Sequence, residues 1–243
     1  MANRQDMLER ISRALGKQPG GGSAAQGKPL DLPELGPVMP PIPPEELIPK
    51  FESELGKVSG TAYRAHNLQD LEDHLKSILD QSDAGIVLSR NPLLARLGLP
   101  QKLRAWGKTV AVWSEGTEDA GAARGSSFRD RSFTAGVGIT GVDFVLAESG
   151  TLVLSSATEG AQLASLAPPV HVALYRREEV LGSLEEVIER LPVPRNPDVS
   201  VPGRAVVFIT GPSRTADIEQ ILIRGVHGPR EVHAILVEES CLV

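Results

Sequence analysis

The feature that most constrains the fold is an alternation of short apolar runs and amphipathic segments that begins near residue 49. Runs such as "GIVLS" at 85–89 and "VHVALY" at 170–175 have the length and the apolar, β-branched content of strands. The segment at 68–79 instead repeats leucine and isoleucine at helical spacing. Strands that alternate with helices pair in parallel and are covered by those helices on both faces. The sequence therefore predicts an α/β fold with a largely parallel sheet.

The same criteria place the other elements. Residues 183–191 begin with Ser183 and, three residues later, Glu186, a capping box that is typical of a helix start. Residues 142–148 are apolar on both strand faces, which indicates a central buried strand. Further strands are predicted at 61–65, 109–113, 151–156, 204–210 and 232–238, and further helices at 49–56, 126–135 and 215–224.

The N-terminal part of the chain differs from the rest in composition. Residues 1–18 predict an amphipathic helix, with Met7 and Ile11 on its apolar side. Residues 19–48 are rich in glycine and proline and lack periodicity, which is typical of a linker or an extended arm. The α/β domain is accordingly predicted at 49–243. The first helix either packs as an arm on its own protomer or docks on another chain.

Composition and charge exclude several classes of function. The net charge of -6 and the pI near 5.5 disfavour nucleic acid and anionic membranes as partners, because both require a basic face. Cys241 is the single cysteine, so this chain is expected to supply neither a disulfide framework nor an iron–sulfur or multi-cysteine zinc site. The histidines show no metal-ligand spacing, and no bound metal is expected. No apolar run could span a bilayer and the N-terminus is charged, so a cytoplasmic protein is predicted.

The stretch "GITGVDFVLAESGTLVLSS" at 138–156 carries the first candidate site. Ser149 and Gly150 form a predicted two-residue turn, which puts Glu148 at the carboxyl end of a central strand. Ligands of open α/β sheets bind at that edge. A carboxylate there can act as nucleophile or general base, with the hydroxyl of Ser149 or Thr151 beside it. Ser149, Gly150 and Thr151 are accordingly candidate ligand-binding residues. Alternatively, Glu148 only accepts hydrogen bonds from turn amides and stabilises the hairpin.

Glycines immediately upstream supply two further candidates. In "GVGITG" at 136–141, Thr140 and Gly141 are candidate ligand-binding residues, because glycine permits close approach of the backbone to a ligand. This run is not the dinucleotide fingerprint, since its glycine spacing differs and it precedes a strand instead of a helix. Asp143, which follows, is interpreted as a strand-start or loop-bonding residue.

A second loop, "VVFITGPSRTADIE" at 206–219, follows another predicted strand. Ser213 or Thr215 would cap the helix predicted at 215–224, and its free N–H groups with Arg214 would bind a phosphate or a carboxylate. Capped helix starts also occur without a ligand, and Arg214 can equally form a surface ion pair. The candidate ligand-binding residues of this region are Gly211, Pro212, Ser213, Arg214, Thr215 and Asp217, with His227 in the following loop.

The two loops together resemble the LUD-domain family. The residues that carry the resemblance are "GITGVDFVLAESGTLVL" at 138–154 and "GPSRTADIEQILIRGVHGP" at 211–229. The N-terminal "MLERISRALGK" and the proline-rich arm are also similar to that family's opening, so the likeness covers essentially the whole chain and is strongest at 136–238. Ser149 stands where the family usually has threonine, and the hydroxyl is retained.

The resemblance implies both a fold and a role. The implied fold is a Rossmann-like three-layer α/β/α sandwich similar to the sugar-phosphate isomerase and CoA-transferase superfamily. The implied role is in the oxidation of L-lactate to pyruvate alongside two partner proteins, at least one of which carries iron–sulfur clusters. Class I CoA transferases, which look like distant relatives, use the glutamate of a Glu-x-Gly turn as nucleophile, and Glu148-Ser149-Gly150 matches that pattern.

Three functional hypotheses follow from the sequence and the resemblance. In the first, the chain is a non-redox subunit of an L-lactate-oxidising complex that binds a small anion or its partner chains, without a cofactor of its own. In the second, it is a free-standing acyl- or CoA-transferase, or a phosphosugar isomerase, that uses Glu148. In the third, it is an adaptor whose first helix docks on a partner.

Overall fold

The computed structural model describes residues 40–82, 84–113, 121–191, 205–216 and 222–242, together with Met7 and Arg10. It divides into two compact units, Met1–Pro41 and Ile42–Val243, and the second unit carries the α/β fold. Of the helix predicted at 1–18, only Met7 and Arg10 are described, and both are helical. The rest of that helix and residues 19–39 of the predicted arm lie outside the described residues.

The described part of the second unit contains strands and helices in alternation. In chain order the strands are β1 (Thr61–Ala65), β2 (Ile86–Leu88), β3 (Val110–Val112), β4 (Val137–Thr140), β5 (Phe144–Leu146), β6 (Thr151–Ser155), β7 (Val170–Tyr175), β8 (Val180–Leu181), β9 (Val206–Ile209), β10 (Arg214–Ala216), β11 (Leu222–Arg224) and β12 (Glu231–Val237). The helices are α1 (Leu47–Lys57), α2 (Leu68–Leu79), α3 (Pro92–Arg96), α4 (Leu99–Ala105), α5 (Gly121–Thr134), α6 (Ser156–Glu159), α7 (Leu163–Leu166) and α8 (Leu184–Arg190).

Six parallel strands form the main sheet, in the order β1-β12-β7-β4-β2-β3. Helices α2, α3 and α4 cover one face, where Leu75, Leu94 and Leu103 are buried against Ile139 and Leu174. The alternate residues of the strands point to the other face, which α1, α5 and α7 cover. The predicted α/β fold with a parallel sheet between helical layers is therefore confirmed.

A second, four-stranded sheet packs on the main sheet together with α1. Its order is β8-β5-β6-β9, with β5 parallel to β8 and the other pairs antiparallel. Its inner residues Val145 and Leu152 belong to one buried cluster with Phe51 of α1 and Tyr175 of β7, whose rings meet edge-on at 5.2 Å. Helix α8 packs on the opposite side of the second sheet through Val187. The sequence did not predict this second sheet.

The prediction of a helix at 215–224 is wrong. The structure has an antiparallel pair of strands there, β10 and β11, with Thr215 opposite Ile223. Both are β-branched residues that favour strands, and pairing satisfies the backbone groups that a helix would otherwise satisfy internally. Consequently Ser213 and Thr215 cap no helix, and Gly225, which has φ of +80°, follows a strand instead of a helix.

The hairpin turn also differs from its prediction. The last pair of the β5–β6 ladder is Leu146 with Thr151, so the connection has four residues instead of two. Gly150 closes this loop by donating its N–H to the Leu146 carbonyl at 3.0 Å, with φ of +65°, a conformation that glycine adopts without strain. Its α-carbon faces the backbone of Leu55, which leaves no space for a β-carbon. The tip of the β5–β6 hairpin therefore packs closely against α1.

Candidate functional site

The carboxyl edge of the main sheet has a switch point between β2 and β4. From β2 the chain moves to β3 at the end of the sheet, and from β3 it returns past β2 to β4. Open parallel sheets bind their ligands in the crevice at such a point. In this chain the switch point lies between the residues that directly follow β2 and β4.

Residues from three segments meet at the switch point. Ser89 and Asn91 follow β2, Gly141 follows β4, and Glu159 ends the short helix α6. Asn91 is fixed in place because its Oδ1 accepts the Leu93 N–H at 2.9 Å and so caps helix α3. Glycine is needed at 141 because the Asn91 amide occupies the space of a β-carbon.

The carboxylate of Glu159 joins these segments. The Ser89 hydroxyl donates to Oε2 at 2.5 Å and the Gly141 N–H donates to the same oxygen at 3.2 Å. The Asn91 side-chain amide donates to Oε1. We call Ser89, Asn91, Gly141 and Glu159 the Glu159 cluster. Glu159 is 1% exposed, so its carboxyl is hydrogen-bonded to three protein donors in place of water.

Burial raises the pKa of Glu159 to about 7, and the nearby charge of Asp143 acts in the same direction. The hydrogen bonds from Ser89, Asn91 and Gly141 favour the ionised form and oppose this rise. The carboxyl can therefore both hold and release a proton near neutral pH. That property suits a general acid or base.

Asp143 organises the segment that covers the cluster. Its carboxylate accepts the Ser155 N–H at 2.5 Å, the Ser155 hydroxyl at 3.1 Å and the Thr158 hydroxyl at 2.9 Å. These bonds confirm its interpretation as a loop-bonding residue at a strand start. Arg90 donates to the Ala157 carbonyl at 2.7 Å, which ties the same segment to the end of β2.

Thr140 and His171 form a second polar contact beside the cluster. The Thr140 hydroxyl and His171 Nε2 share a hydrogen bond of 2.8 Å, and both residues are buried. Burial lowers the pKa of His171 to about 3, so the ring is neutral at physiological pH. Of the residues predicted as candidates, Thr140 and Gly141 are the two that the structure brings to the switch point.

Glu148 lies elsewhere. It follows β5 in the second sheet, so its predicted position at the carboxyl edge of the main α/β sheet is wrong. Its Oε1 accepts the Leu184 N–H at 2.8 Å, at the start of α8. The carboxylate thus stabilises a helix N-terminus, where both the free N–H groups and the helix dipole favour a negative charge.

The other candidate residues gather around the end of α1. Ser149 and Thr151 share a hydrogen bond of 2.8 Å, and Thr151 and Thr210 share another of 2.8 Å, so the two predicted loops do meet. Gly211 has φ of +77° and lies against the Val58 carbonyl.

The guanidinium of Arg214, which was predicted to help bind an anion, contacts the C-terminal end of α1 instead. One of its guanidinium nitrogens donates to the Val58 carbonyl and to the Ser59 hydroxyl, each at 2.6 Å. Carbonyls at a helix C-terminus attract a cation, so this contact is sufficient to explain the residue. Pro212 is buried, and the Ser213 N–H donates to the Pro229 carbonyl at 2.8 Å.

The remaining candidates supply no site geometry. Thr215 lies within β10, His227 is exposed in the loop after β11, and Asp217 lies outside the described residues. Among the described residues there is no group of three or more His, Cys, Asp or Glu side chains that could hold a metal ion. Within the same residues, no helix combines the length and apolarity needed to cross a membrane.

Sequence reasoning missed Ser89, Asn91, Glu159 and His171. A signal for Ser89 and Asn91 was present, because "SRN" at 89–91 directly follows an apolar run. Polar residues immediately after strands are the ones that reach the carboxyl edge of a parallel sheet. No comparable signal marked Glu159, whose segment follows a strand of the second sheet, or His171, which lies within β7 and is buried by its packing.

Comparison with known proteins identifies the family. The model of the LUD domain matches residues 48–237. The chain belongs to the LUD-domain family. Its relatives include proteins named lactate utilization protein C from Bacillus subtilis, 27% identical with 98% of this chain and 97% of that protein covered, and from a Geobacillus species, 32% identical with 70% and 69% covered.

A solved structure agrees with the family assignment at the level of the fold. The crystal structure of a DUF162 family protein from Deinococcus radiodurans superimposes with a TM-score of 0.51 at 18% identity. The superposition covers 81% of this chain and 99% of that one. At this identity the likeness concerns the arrangement of the sheet and helices.

Proposed function

We propose that this LUD-domain protein is a non-redox subunit of a cytoplasmic system that oxidises L-lactate to pyruvate, working with iron–sulfur partner proteins. Support for the lactate role comes from the relatives named lactate utilization protein C. The assignment of electron transfer to partners is supported by composition, because the 243 residues contain one cysteine. That residue, Cys241, is buried and its thiol donates to the Ala65 carbonyl at 3.3 Å.

The observation that carries the role of this chain is the Glu159 carboxyl at the switch point. Oxidation of a secondary alcohol to a ketone releases two electrons and two protons. In this proposal the oxidised partner proteins take the two electrons and the proton from the second carbon, and a base must accept the hydroxyl proton. A buried carboxyl with its pKa near 7, at the sheet edge where parallel sheets bind ligands, fits that requirement.

Deletion and reconstitution test the proposed function. A strain lacking this gene is expected to fail to grow on L-lactate and to grow normally on glucose. The purified chain alone is expected to show no lactate oxidation with an artificial electron acceptor, whereas the complex co-purified with its partners shows it. Normal growth of the deletion strain on L-lactate would contradict the proposal.

The alternative of an acyl- or CoA-transferase that uses Glu148 has less geometric support. The Glu148 carboxylate is bound to the Leu184 N–H and lies on the second sheet. Incubation with acyl-CoA followed by mass spectrometry would distinguish the two, since a transferase would carry a covalent adduct on Glu148 that is absent in Glu148→Gln. The adaptor hypothesis is tested by removal of residues 1–44, which would abolish complex formation if the first helix docks a partner.

A further inference from the structure

Two buried polar atoms near α7 have no hydrogen-bond partner among the described residues, namely Gln162 Nε2 and His171 Nδ1. A buried polar atom without a hydrogen-bond partner costs about 1 to 3 kcal/mol, so such atoms are uncommon in native proteins. The third atom of this kind, Tyr175 Oη, belongs to a different region, the apolar cluster against Phe51.

The atoms of Gln162 and His171 belong to one covered region. His171 is in register with Gly138 of β4, so both residues face the same side of the main sheet. The Ala164 carbonyl lies over Gly138 and leaves no room for a β-carbon there. Gln162 is two residues before Ala164, directly before α7. The segment that includes α7 therefore covers His171, and Gln162 belongs to that segment.

This region is continuous with the Glu159 cluster. Thr140 bonds to His171 through its hydroxyl, and the next residue, Gly141, donates its N–H to Glu159. Glu159 and Gln162 are three residues apart in the covering segment. We call Glu159, Thr140, His171 and Gln162 the polar strip, which extends from the carboxyl edge of β4 to the region under α7.

The chemistry of the strip selects a class of ligand. The Gln162 amide nitrogen is a donor only, and the protonated form of Glu159 adds an O–H donor. An occupant must therefore supply acceptor oxygens. None of the four side chains of the strip is positively charged, since burial keeps His171 neutral. A singly charged carboxylate is accordingly favoured over a phosphate dianion, whose burial without a cation costs far more.

We propose that the polar strip binds a short 2-hydroxy or 2-oxo monocarboxylate. The choice of L-lactate and pyruvate within this class rests on the proposed function. The ligand carboxylate accepts from Gln162 Nε2, and the oxygen on its second carbon pairs with the Thr140 hydroxyl or the Glu159 carboxyl. The 2-hydroxyl of L-lactate donates to the ionised carboxylate of Glu159, whereas the 2-oxo oxygen of pyruvate accepts the O–H of the protonated acid. Binding of pyruvate therefore takes up one proton above neutral pH, and its affinity falls roughly tenfold for each pH unit above about 7.

Isothermal titration of the purified full chain tests this proposal. L-lactate, pyruvate, acetate and inorganic phosphate are titrated separately at about pH 6 and about pH 8, where Glu159 differs in protonation. We expect L-lactate, pyruvate or both to bind more tightly than acetate and phosphate, and pyruvate to bind more tightly at the lower pH. Repetition with pyruvate at the higher pH in buffers of different ionisation enthalpy should show proton uptake, a readout that needs no variant.

Matched variants assign the effect to the strip. Gln162→Met removes the donors at similar size and is expected to weaken binding by about tenfold or more. Gln101→Met, at an exposed position of α4, is the control and should bind as the wild type does. Glu159→Gln mimics the protonated acid, so its affinity should become independent of pH.

Several results would overturn the proposal. They are the absence of binding at millimolar concentrations of both acids, equal binding of phosphate or acetate, and unchanged affinity in Gln162→Met. Any of these would leave ordered water as the partner of the two atoms. Such a failure is distinguishable from failure of the proposed function, because the deletion strain would still be unable to grow on L-lactate.

Discussion

At the scale of single residues, Glu159 links the geometry of the site to a measurable proton equilibrium. Burial favours its neutral form, while hydrogen bonds from Ser89, Asn91 and Gly141 favour the carboxylate. A pKa of about 7 in the folded chain, against an ordinary value of 4.5, means that the folded state binds the proton more tightly than the unfolded state. Stability supplied by this proton is present below pH 4.5 and is lost as pH rises through 7.

The first prediction concerns this loss of stability. Between about pH 5.5 and about pH 8, wild type should lose about 2 kcal/mol of unfolding free energy that Glu159→Gln does not lose. Other titrating groups, including His171, are common to both proteins and cancel in the comparison. Urea unfolding of both proteins at the two pH values measures the difference. Equal pH slopes would contradict the raised pKa.

The two glutamates show what sequence can and cannot predict at this scale. Glu148 stood out because it interrupts an apolar run, yet its role at the start of α8 depends on where a distant segment packs. Glu159 sits in a short polar segment that has no unusual local pattern. Its burial arises from contacts with residues up to 70 positions away, which local sequence does not encode.

At the scale of elements, the start of α8 supplies the second prediction. Glu148→Ala should destabilise the protein by about 1 kcal/mol, because the Leu184 N–H loses its acceptor at the helix start. Glu185→Ala, in the first turn of the same helix, should destabilise the protein by only about 0.3 kcal/mol, since it removes a favourable charge without freeing an N–H group. Thermal unfolding of the two variants gives the comparison, and equal effects would show that Glu148 has no such role.

The packing of α7 on β4 gives the third prediction. Gly138→Ala should destabilise the fold by about 3 kcal/mol, because the added methyl group meets the rigid backbone carbonyl of Ala164. Gly56→Ala is the control, since its β-carbon meets nothing and alanine favours the helix, and it should stabilise by about 0.5 kcal/mol. Denaturant unfolding measures both. A neutral Gly138→Ala would contradict the close contact.

Elements were predictable where the local pattern decides them. The strand at 170–175 matches the structure because burial on both faces leaves a continuous apolar run, and the helix at 68–79 matches because burial of one side leaves apolar residues at helical spacing. The β10–β11 hairpin was missed because a short mixed segment acquires its structure from pairing, as Thr215 does with Ile223. The second sheet was missed for the same reason, since β9 pairs with β6 across more than fifty residues.

At the scale of the whole molecule, the order of the strands determines where the candidate site lies. The reversal at β2 brings the ends of β2 and β4 together at a switch point that no single segment defines. Because the β5–β6 hairpin belongs to the second sheet, its tip packs on α1 and Glu148 binds the start of α8. The parallel sheet followed from the alternation of strands and helices, whereas the location of the site required the strand order.

The most direct measurement is growth on L-lactate of the deletion strain complemented with single-residue variants at wild-type protein level. Glu148→Gln keeps an acceptor oxygen at the start of α8 and should restore growth. Glu159→Gln keeps the shape of the side chain but cannot exchange a proton, and it should fail to restore growth. The opposite pattern, with Glu148→Gln inactive and Glu159→Gln active, would contradict the assignment of the functional carboxyl to Glu159, as would growth with both.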